Sequence, residues 1–269
     1  RGSRKGPGKA GRAFEGQVST VVSGPLSLAG QVVLVTGGAR RVGRAICEAL
    51  AERGARVIVH HHRSAAEAAE LVATLGGGAL AVSADLRSAE ATRAMFAQVQ
   101  ESIGRVDALV NNAAVFARTP FLPSPTANSD EKWDEAWDEQ LLVNLTAPQR
   151  CIRHAVRLGA RAVVNLVDVA AWQPWSEFSA YSVAKAGLLH LTKVLARELA
   201  PAVRVCAVAP GVALFSEDTK QHERERVVAR IPLGNAGTKE DVARAILYLL
   251  TEPYLTGVCL PVDGGQGLR

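Results

Sequence analysis

The chain has 269 residues, of which 48% are hydrophobic and 21% charged, proportions typical of one large globular α/β domain. Its formal net charge is +5, but five basic residues and one acidic residue fall within the first fifteen positions. The remainder is nearly neutral, which gives no case for nucleic-acid binding. No apolar run approaches the ~18 residues of a membrane span, so we expect no membrane insertion.

The sequence predicts a disordered basic tail over residues 1–27 and a single domain over 28–269. The opening segment 1–20 is rich in Gly, Arg and Lys and lacks apolar periodicity, which indicates a disordered tail or a cloning remnant, with a targeting or interaction arm as the alternative. It shows no signal-peptide pattern, so we predict a cytoplasmic location. The cysteines are widely spaced and are predicted to be reduced core thiols: Cys47, Cys151, Cys206 and Cys259.

From residue 31 onward, short apolar runs alternate with amphipathic helical patterns. Strands are predicted at residues 31–36, 56–60, 79–83, 106–111, 161–168, 203–208 and 258–262. Helices are predicted at residues 43–53, 65–75, 88–103, 131–157, 179–199 and 238–251. Most of the strands are apolar on both faces, as in parallel strands that helices cover. The alternation predicts an α/β fold with right-handed crossovers and a Rossmann-type doubly wound parallel sheet.

The longest irregular connection runs from Pro210 to Pro232 and follows the sixth predicted strand. Its charged stretch, residues 217–230, is predicted to form a short mobile helix. Ligands of parallel sheets bind beyond the carboxyl ends of the strands, and this connection begins at that edge. We therefore predict a substrate lid, with a solvated surface helix as the alternative.

A glycine-rich turn, T-G-G-A-R-R-V-G at residues 36–43, separates the first predicted strand from the first helix. Glycine permits a tight turn and a close backbone approach, while a helix N-terminus offers unpaired N–H groups to a pyrophosphate. The spacing differs from the standard G-x-G-x-x-G, so the position between a strand and a helix carries the interpretation. The predicted cofactor-binding residues of this turn are Gly37, Arg40, Arg41, Val42 and Gly43.

The end of the second predicted strand indicates which nicotinamide cofactor is bound. An acidic residue there would bind the ribose 2′-hydroxyl and repel a 2′-phosphate. This chain has H-H-H-R-S at residues 60–64, and Arg and Ser are suitable phosphate donors. We therefore predict NADP(H), held by His62, Arg63 and Ser64 with Arg41 approaching from the glycine-rich turn. Neighbouring strand histidines point to opposite faces, so we predict no metal site.

Two further loops are predicted to contact the cofactor. Asp85 and Leu86 follow the third strand, where Asp85 can accept a hydrogen bond from the adenine amino group; a turn or helix N-cap aspartate is the alternative. Asn112, Ala113 and Ala114 follow the fourth strand. Small residues there let the chain pass under the cofactor, while the asparagine side chains tie neighbouring loops together.

Tyr181 and Lys185 lie four residues apart on a predicted helix, so they project from one face. There the ammonium can stabilise the phenolate and lower the tyrosine pKa from roughly 10. A phenol tuned in this way can hand a proton to a substrate near neutral pH. Asp168 stands thirteen residues before the tyrosine and can hydrogen-bond, orient or donate to a ring nitrogen. A structural hydrogen-bonding role for this carboxyl is the alternative.

Together with Asn144, Pro210-Gly211 and V-D-G-G at 262–265, these motifs resemble the short-chain dehydrogenase/reductase family over roughly residues 28–269. Finer features resemble the pteridine reductases and the dihydromonapterin reductases: the turn at 36–43, H-H-H-R-S-A-A-E-A at 60–68, N-N-A-A-V-F at 111–116, and Asp168 where the family normally carries serine. The resemblance implies NADPH-dependent reduction of a dihydropterin, of the dihydrobiopterin or dihydromonapterin type, to a tetrahydropterin. Hydride would add to an imine carbon and a proton to the adjacent ring nitrogen.

The resemblance also implies catalytic roles. Tyr181 would protonate the ring nitrogen with support from Asp168, which would hydrogen-bond both the tyrosine and the substrate. Lys185 would bind the nicotinamide ribose hydroxyls as well as tune Tyr181, and both residues would contribute to the cofactor site. Asn144 would hold the water chain that resupplies protons.

Binding roles follow from the same resemblance. Phe116 would stack on the pterin opposite the nicotinamide, and Arg41 would contact both the cofactor phosphates and the pterin edge. Pro210 and Gly211 would contribute to the cofactor site and Leu214 to the substrate site. The family usually forms homotetramers through the helices around residues 131–157 and 179–199, which is the assembly we expect.

Some features leave alternatives open. Ala114 stands where the pteridine reductases tend to offer a serine, and Trp172 and Trp175 either line the pocket or pack at a subunit contact. A carbonyl or 3-oxoacyl reductase, in which Asp168 merely replaces the serine, is the alternative enzyme. A non-catalytic NADP(H)-sensing protein is a further alternative, against which the intact Tyr181, Lys185 and Asn144 argue, because a sensor need not retain a proton relay.

Overall fold

The computed structural model describes residues 24–122, 130–213, 215 and 219–268. Most of the predicted basic tail lies outside these residues, as does Leu214 of the predicted substrate site. The division into a tail and a single domain therefore stays a prediction.

The described strands form one seven-stranded sheet with the order β3-β2-β1-β4-β5-β6-β7, and every neighbouring pair is parallel. The strands are β1 (Val32–Val35), β2 (Arg56–His61), β3 (Leu80–Ser83), β4 (Ala108–Asn111), β5 (Ala162–Leu166), β6 (Arg204–Pro210) and β7 (Cys259–Val262). The predicted doubly wound parallel sheet is confirmed. The strand order reverses between β1 and β4, where such sheets open a ligand crevice at the carboxyl ends of the strands.

Both faces of this sheet are covered by helices, of which the described residues contain eight. They are α1 (Arg41–Glu52), α2 (Ala65–Leu75), α3 (Ala89–Ser102), α4 (Asp130–Leu141), α5 (Ala147–Arg157), α6 (Ser179–Glu198), α7 (Gln221–Val228) and α8 (Lys239–Thr251). A short helix within the predicted stretch 217–230 is thus confirmed as α7, while its role as a lid stays a prediction. In the described residues, no helix has both the length and the apolar character needed to cross a bilayer.

One predicted helix, 131–157, is interrupted in the structure. A π-helical turn, Leu142–Thr146, separates α4 from α5, and Pro148 stands in the first turn of α5. Proline has no N–H to donate to the carbonyl four residues earlier, here that of Asn144, so the regular hydrogen-bond ladder fails at this point. The break places Asn144 in the wider turn.

The core explains why the strands are apolar on both faces. All four residues of β1 are buried, and they alternate between two clusters. Val33 and Val35 pack into the cluster that includes residues of α1 and α8, whereas Leu34 packs on the other side with residues of α3 and α5. The four cysteines are free; three are buried, but Cys259 is only partly so, in contrast to the prediction that all are core thiols.

Candidate active site

A cavity of about 490 Å³ opens at the carboxyl ends of β1 to β4, at the switch point of the sheet. The predicted cofactor residues of the four adjoining loops all line it: Gly37, Arg40, Arg41, Val42, Gly43, His62, Arg63, Ser64, Asp85, Leu86, Asn112, Ala113 and Ala114. Four other predicted cofactor residues are not among its lining residues: Tyr181, Lys185, Pro210 and Gly211. The structure thus brings most of the predicted set into one place, while dinucleotide binding by these residues stays a prediction.

The glycine-rich turn is packed tightly against the loop after β4. A Cβ atom on Gly43 would lie 2.1 Å from the carbonyl oxygen of Gly37 and 2.7 Å from Nδ2 of Asn112. The same Nδ2 donates to the carbonyl oxygens of Thr36 and Gly37, at 2.9 and 3.0 Å. Gly37 has φ +62°, a conformation that glycine adopts without strain. The turn is therefore closed by backbone contacts that only glycine permits.

The N-terminus of α1 lies beside this turn and suits an anion. Its N-cap residue, Arg40, makes no side-chain cap hydrogen bond. The N–H groups of the first helical turn have no partner within the helix, and the helix dipole favours negative charge there. Arg41 follows with φ +53°, which is rare for a residue other than glycine. The cradle and the exposed helix end fit the pyrophosphate of a dinucleotide.

At the end of the cavity next to β3, Arg87 holds the side chain of Asp85. The guanidinium donates from Nε to both carboxylate oxygens at 3.0 Å and from Nη2 to Oδ2 at 2.7 Å. Arg87 is the main cause that lowers the pKa of Asp85 to about 2. The backbone N–H of Arg87 also donates to Oδ1, as in a turn aspartate. Asp85 is thus a turn aspartate, the alternative to a residue that binds adenine. An adenine amino group would have to share the carboxylate of Asp85 with Arg87.

The structure brings Asp168 and Tyr181 together beyond the end of β5. Oδ2 of Asp168 accepts a hydrogen bond from the tyrosine hydroxyl at 3.0 Å, and Oδ1 accepts one from the backbone N–H of Ala170 at 2.8 Å. Nζ of Lys185 donates to the carbonyl oxygen of Leu166 at 2.8 Å and lies 5.6 Å from the centroid of the Tyr181 ring. A strand end therefore supplies the acid, and one face of α6 supplies the phenol and the ammonium.

Burial dominates the protonation of these three groups. It raises the pKa of Asp168 and, together with the neighbouring carboxyl, raises the pKa of Tyr181 well above 10. It lowers the pKa of Lys185 to about 8. The expectation that Lys185 lowers the pKa of Tyr181 is wrong for this structure, because the ammonium donates to Leu166 while the hydroxyl bonds to an acid. Tyr181 is thus a neutral phenol at neutral pH, the form that can donate a proton.

Aromatic side chains surround the tyrosine. The Phe116 ring is 57% exposed, stacks on Phe178 at a centroid distance of 4.6 Å and meets the Tyr181 ring edge-on at 4.8 Å. Trp175 lies 6.4 Å from the Tyr181 ring, which places it at the site. Trp172 lies elsewhere, near the C-terminal turn: a Cβ atom on Gly267 would come within 3.1 Å of its Nε1 atom.

Asn144 is fully buried in the π-helical turn and fastens the loop after β4. Its Oδ1 accepts from the N–H of Val115 at 3.2 Å, and its Nδ2 donates to the carbonyl oxygen of the same residue at 2.9 Å. Both side-chain groups are thus engaged with the backbone next to Phe116. Support of a proton-carrying water chain by Asn144 stays a prediction.

Comparison with known proteins decides the family. A family profile described as enoyl-(acyl carrier protein) reductase matches residues 37–266. The 3-oxoacyl-[acyl-carrier-protein] reductase of Aquifex aeolicus is 36% identical over 257 residues, covering 90% of this chain and 99% of that protein. The chain belongs to the short-chain dehydrogenase/reductase family. Three further relatives carry the same 3-oxoacyl reductase name.

Other members of the short-chain dehydrogenase/reductase family match equally broadly. The pteridine reductase 1 of Leishmania tarentolae is 32% identical over 280 residues, covering 88% of this chain and 96% of that protein. The 3beta-hydroxysteroid dehydrogenase 1 of Eggerthella lenta is 35% identical over 259 residues, covering 90% and 95%. Membership makes the chain an oxidoreductase that uses NAD(P)(H), and the cavity and its glycine cradle fit such a dinucleotide.

Sequence reasoning overlooked several residues that line this cavity: Ala39, His60, His61, Ala84, Arg87, Val115, Glu139 and Val143. Arg87 bridges Asp85 to Glu139 of α4, with a distance of 3.0 Å between Nη1 and Oε1 of the glutamate. These residues come from separate loops that the fold joins. For His60 a signal existed, because strand alternation places it on the same face as the core residue Ile58.

Proposed function

We propose that the protein reduces the C=N bond of a dihydropterin with NADPH. The observation that carries the proposal is the 3.0 Å hydrogen bond between Tyr181, which is buried, and Asp168, which is half-buried. If Tyr181 gave up its proton beside an ionised carboxylate, the two negative charges at this distance would repel by roughly 5 kcal/mol at an effective dielectric constant of 20. The pair therefore works best with a protonated acid, and burial raises the pKa of Asp168 in that direction.

Such an acid pair suits a ring nitrogen. NADPH, when bound, supplies the hydride. Tyr181 donates its proton to the nitrogen, and Asp168 stabilises the resulting phenolate by hydrogen bonding as a neutral acid or resupplies its proton. The ammonium of Lys185 adds positive charge on the same helix face. Phe116, with more than half of its surface exposed beside the tyrosine, offers a planar ring on which a heterocycle can stack.

The second candidate is an NADPH-dependent carbonyl or 3-oxoacyl reductase. It is favoured by the names of the relatives, because the 3-oxoacyl reductase name recurs among them whereas pteridine reductase is one name of several. Under this hypothesis Asp168 takes the place of the family's serine and hydrogen-bonds a ketone. The names of the relatives support this second candidate more strongly than a pteridine reductase. The presence of Asp168 beside Tyr181 supports the reduction of a dihydropterin.

A direct substrate comparison tests the proposal. The purified chain is incubated with NADPH and either 7,8-dihydrobiopterin, dihydromonapterin or an acetoacetyl thioester, and NADPH oxidation is followed by absorbance. We expect turnover of at least one dihydropterin well above the rate without enzyme. Pterin turnover at the blank rate, together with rapid reduction of the thioester, would reject the proposal and establish the second candidate.

Replacing the acid separates the two candidates. Asp168→Ser should lower kcat/KM for the dihydropterin about tenfold to thirtyfold, because a strong hydrogen bond to a charged or acidic partner is lost. Reduction of the thioester should rise or stay the same, since serine restores the family's usual group. Asp134→Ser, at an exposed position of α4, is the matched control and should leave both rates unchanged. If Asp168→Asn keeps full pterin turnover, the carboxyl has only a structural role.

Preference for NADPH is proposed to rest on His62, Arg63 and Ser64, all of which line the cavity at the end of β2. Arg63→Glu should raise the KM for NADPH about thirtyfold, because a carboxylate would face the 2′-phosphate where a guanidinium can bind it. The KM for NADH should change little. Arg93→Glu, at an exposed position of α3, serves as the control. Equal losses with both cofactors would contradict a role in recognising the 2′-phosphate.

A further inference from the structure

The side chain of His60 connects two loops that line the cavity, the glycine-rich turn after β1 and the loop after β3. It lies near the end of β2, is 2% exposed and lines the cavity floor. Its Nδ1 accepts the backbone N–H of Gly37 at 3.0 Å, and its Nε2 lies 3.1 Å from the carbonyl oxygen of Ala84. A carbonyl can only accept, so Nε2 carries the hydrogen and Nδ1 does not. One neutral tautomer thus satisfies both loops.

The contact to Gly37 matters because this residue belongs to the glycine-rich turn. Gly37 has φ +62°, and a Cβ atom there would lie 3.0 Å from the Cα atom of Ala113, so the turn is confined from the side of β4 as well. The imidazole of His60 accepts a hydrogen bond from the N–H group of Gly37 and so restrains the same residue from the side of β2. A buried N–H group without a partner is costly, and the turn would shift to find one.

We propose that His60 is a positioning residue for cofactor binding, fixing the Gly37 amide and hence the glycine-rich turn against the loop after β3. The role does not depend on which substrate is reduced. It differs from that of His62, which is exposed at the rim of the cavity where a 2′-phosphate is proposed to bind. His60 acts through the backbone of the turn.

The surroundings keep the ring neutral. The pKa of His60 is lowered to about 4, mainly by burial and in smaller part by the neighbouring His61 and His62, against the opposing effect of the Ala84 carbonyl. The other titratable groups next to its contacts are Asp85 after β3, Arg40 and Arg41 in the glycine-rich turn, and Cys47 of α1 beneath Gly38. The folded protein should therefore keep the acceptor at Nδ1 as the pH falls from 7 to about 5.

The test compares two substitutions by NADPH titration of the full chain at neutral pH, without a second substrate. His60→Leu removes both hydrogen bonds and should raise the Kd for NADPH about tenfold or more, the order expected for one unsatisfied buried donor. His60→Asn should stay within about threefold of the wild type, because its Oδ1 can take the place of Nδ1 as acceptor for the Gly37 amide. His190→Asn, exposed on α6, is the control and should bind as the wild type does.

Nitrogen NMR of the histidine-labelled wild type provides a second readout that needs no variant to fold. We expect His60 in the Nε2–H form with an unprotonated Nδ1 from pH 7 to about 5. Wild-type affinity in a folded His60→Leu protein would overturn the proposal, as would an Nδ1–H tautomer. If both variants lose affinity equally, the imidazole acts by filling space and the proposal fails. None of these outcomes depends on pterin turnover.

Discussion

Tyr181→Phe should lower kcat for the physiological reduction about a thousandfold, within the range that general acid catalysis provides. The substitution removes the hydroxyl that donates to Asp168 at 3.0 Å and keeps the ring that packs against Phe116. Affinity for NADPH should change by less than about threefold, because the turn that lines the cavity is untouched. Steady-state kinetics and NADPH titration of the same preparation measure the two effects.

The pH profile of the wild type provides a check on this assignment. Lys185 has its pKa lowered to about 8, so its ammonium loses its proton as the pH rises through that value. Tyr181, with a pKa raised well above 10, keeps its proton over the same interval. Because the ammonium supplies positive charge beside the phenolate that proton transfer leaves, the rate should fall above about pH 8. The Lys185→Met enzyme should be slow and should not show this fall in rate. A Tyr181→Phe enzyme that retained most of its turnover would mean that another group donates the proton.

Gly43→Ala should weaken NADPH binding about tenfold to a hundredfold. The new Cβ would lie 2.1 Å from the carbonyl oxygen of Gly37, so the backbone of the turn has to move. Overpacking of this kind costs about 1–3 kcal/mol or more, and here the strain falls on the cradle proposed for the pyrophosphate. NADPH titration measures the loss, and the melting temperature without cofactor should also fall because the turn is packed against Asn112.

Gly237→Ala is the matched control for this prediction. Gly237 has an ordinary φ, and the atom nearest to the position of the new methyl group is Oδ2 of Asp241 at 3.7 Å, which is normal van der Waals contact. Its effect on NADPH affinity should be less than about twofold. If Gly43→Ala folded and bound NADPH like the wild type, the turn after β1 would not be the dinucleotide cradle.

Much of the fold could be predicted because its signals are local. Runs that are apolar on both faces are typical of parallel strands covered by helices, and their alternation with helical patterns indicates a parallel α/β sheet. The clustering of the loops after β1 to β4 around one cavity follows, since the carboxyl ends of parallel strands share one edge. The interruption at Leu142–Thr146 also had a local signal, because Pro148 breaks the helical hydrogen-bond ladder there. The helical periodicity of residues 131–157 nevertheless predicted one continuous helix.

The sequence by itself thus determined three features: the doubly wound parallel sheet, the glycine-rich turn, and the placement of Tyr181 and Lys185 on one helix face. Only the tertiary structure decided the burial, the hydrogen-bond partners and the pKa values of these side chains. Burial beside Asp168 raises the tyrosine pKa that the sequence predicted to be lowered, and Arg87 occupies the carboxylate of Asp85. The reason is physical: periodicity depends on neighbours along the chain, whereas desolvation and ion pairing depend on groups that the fold brings from other strands and helices.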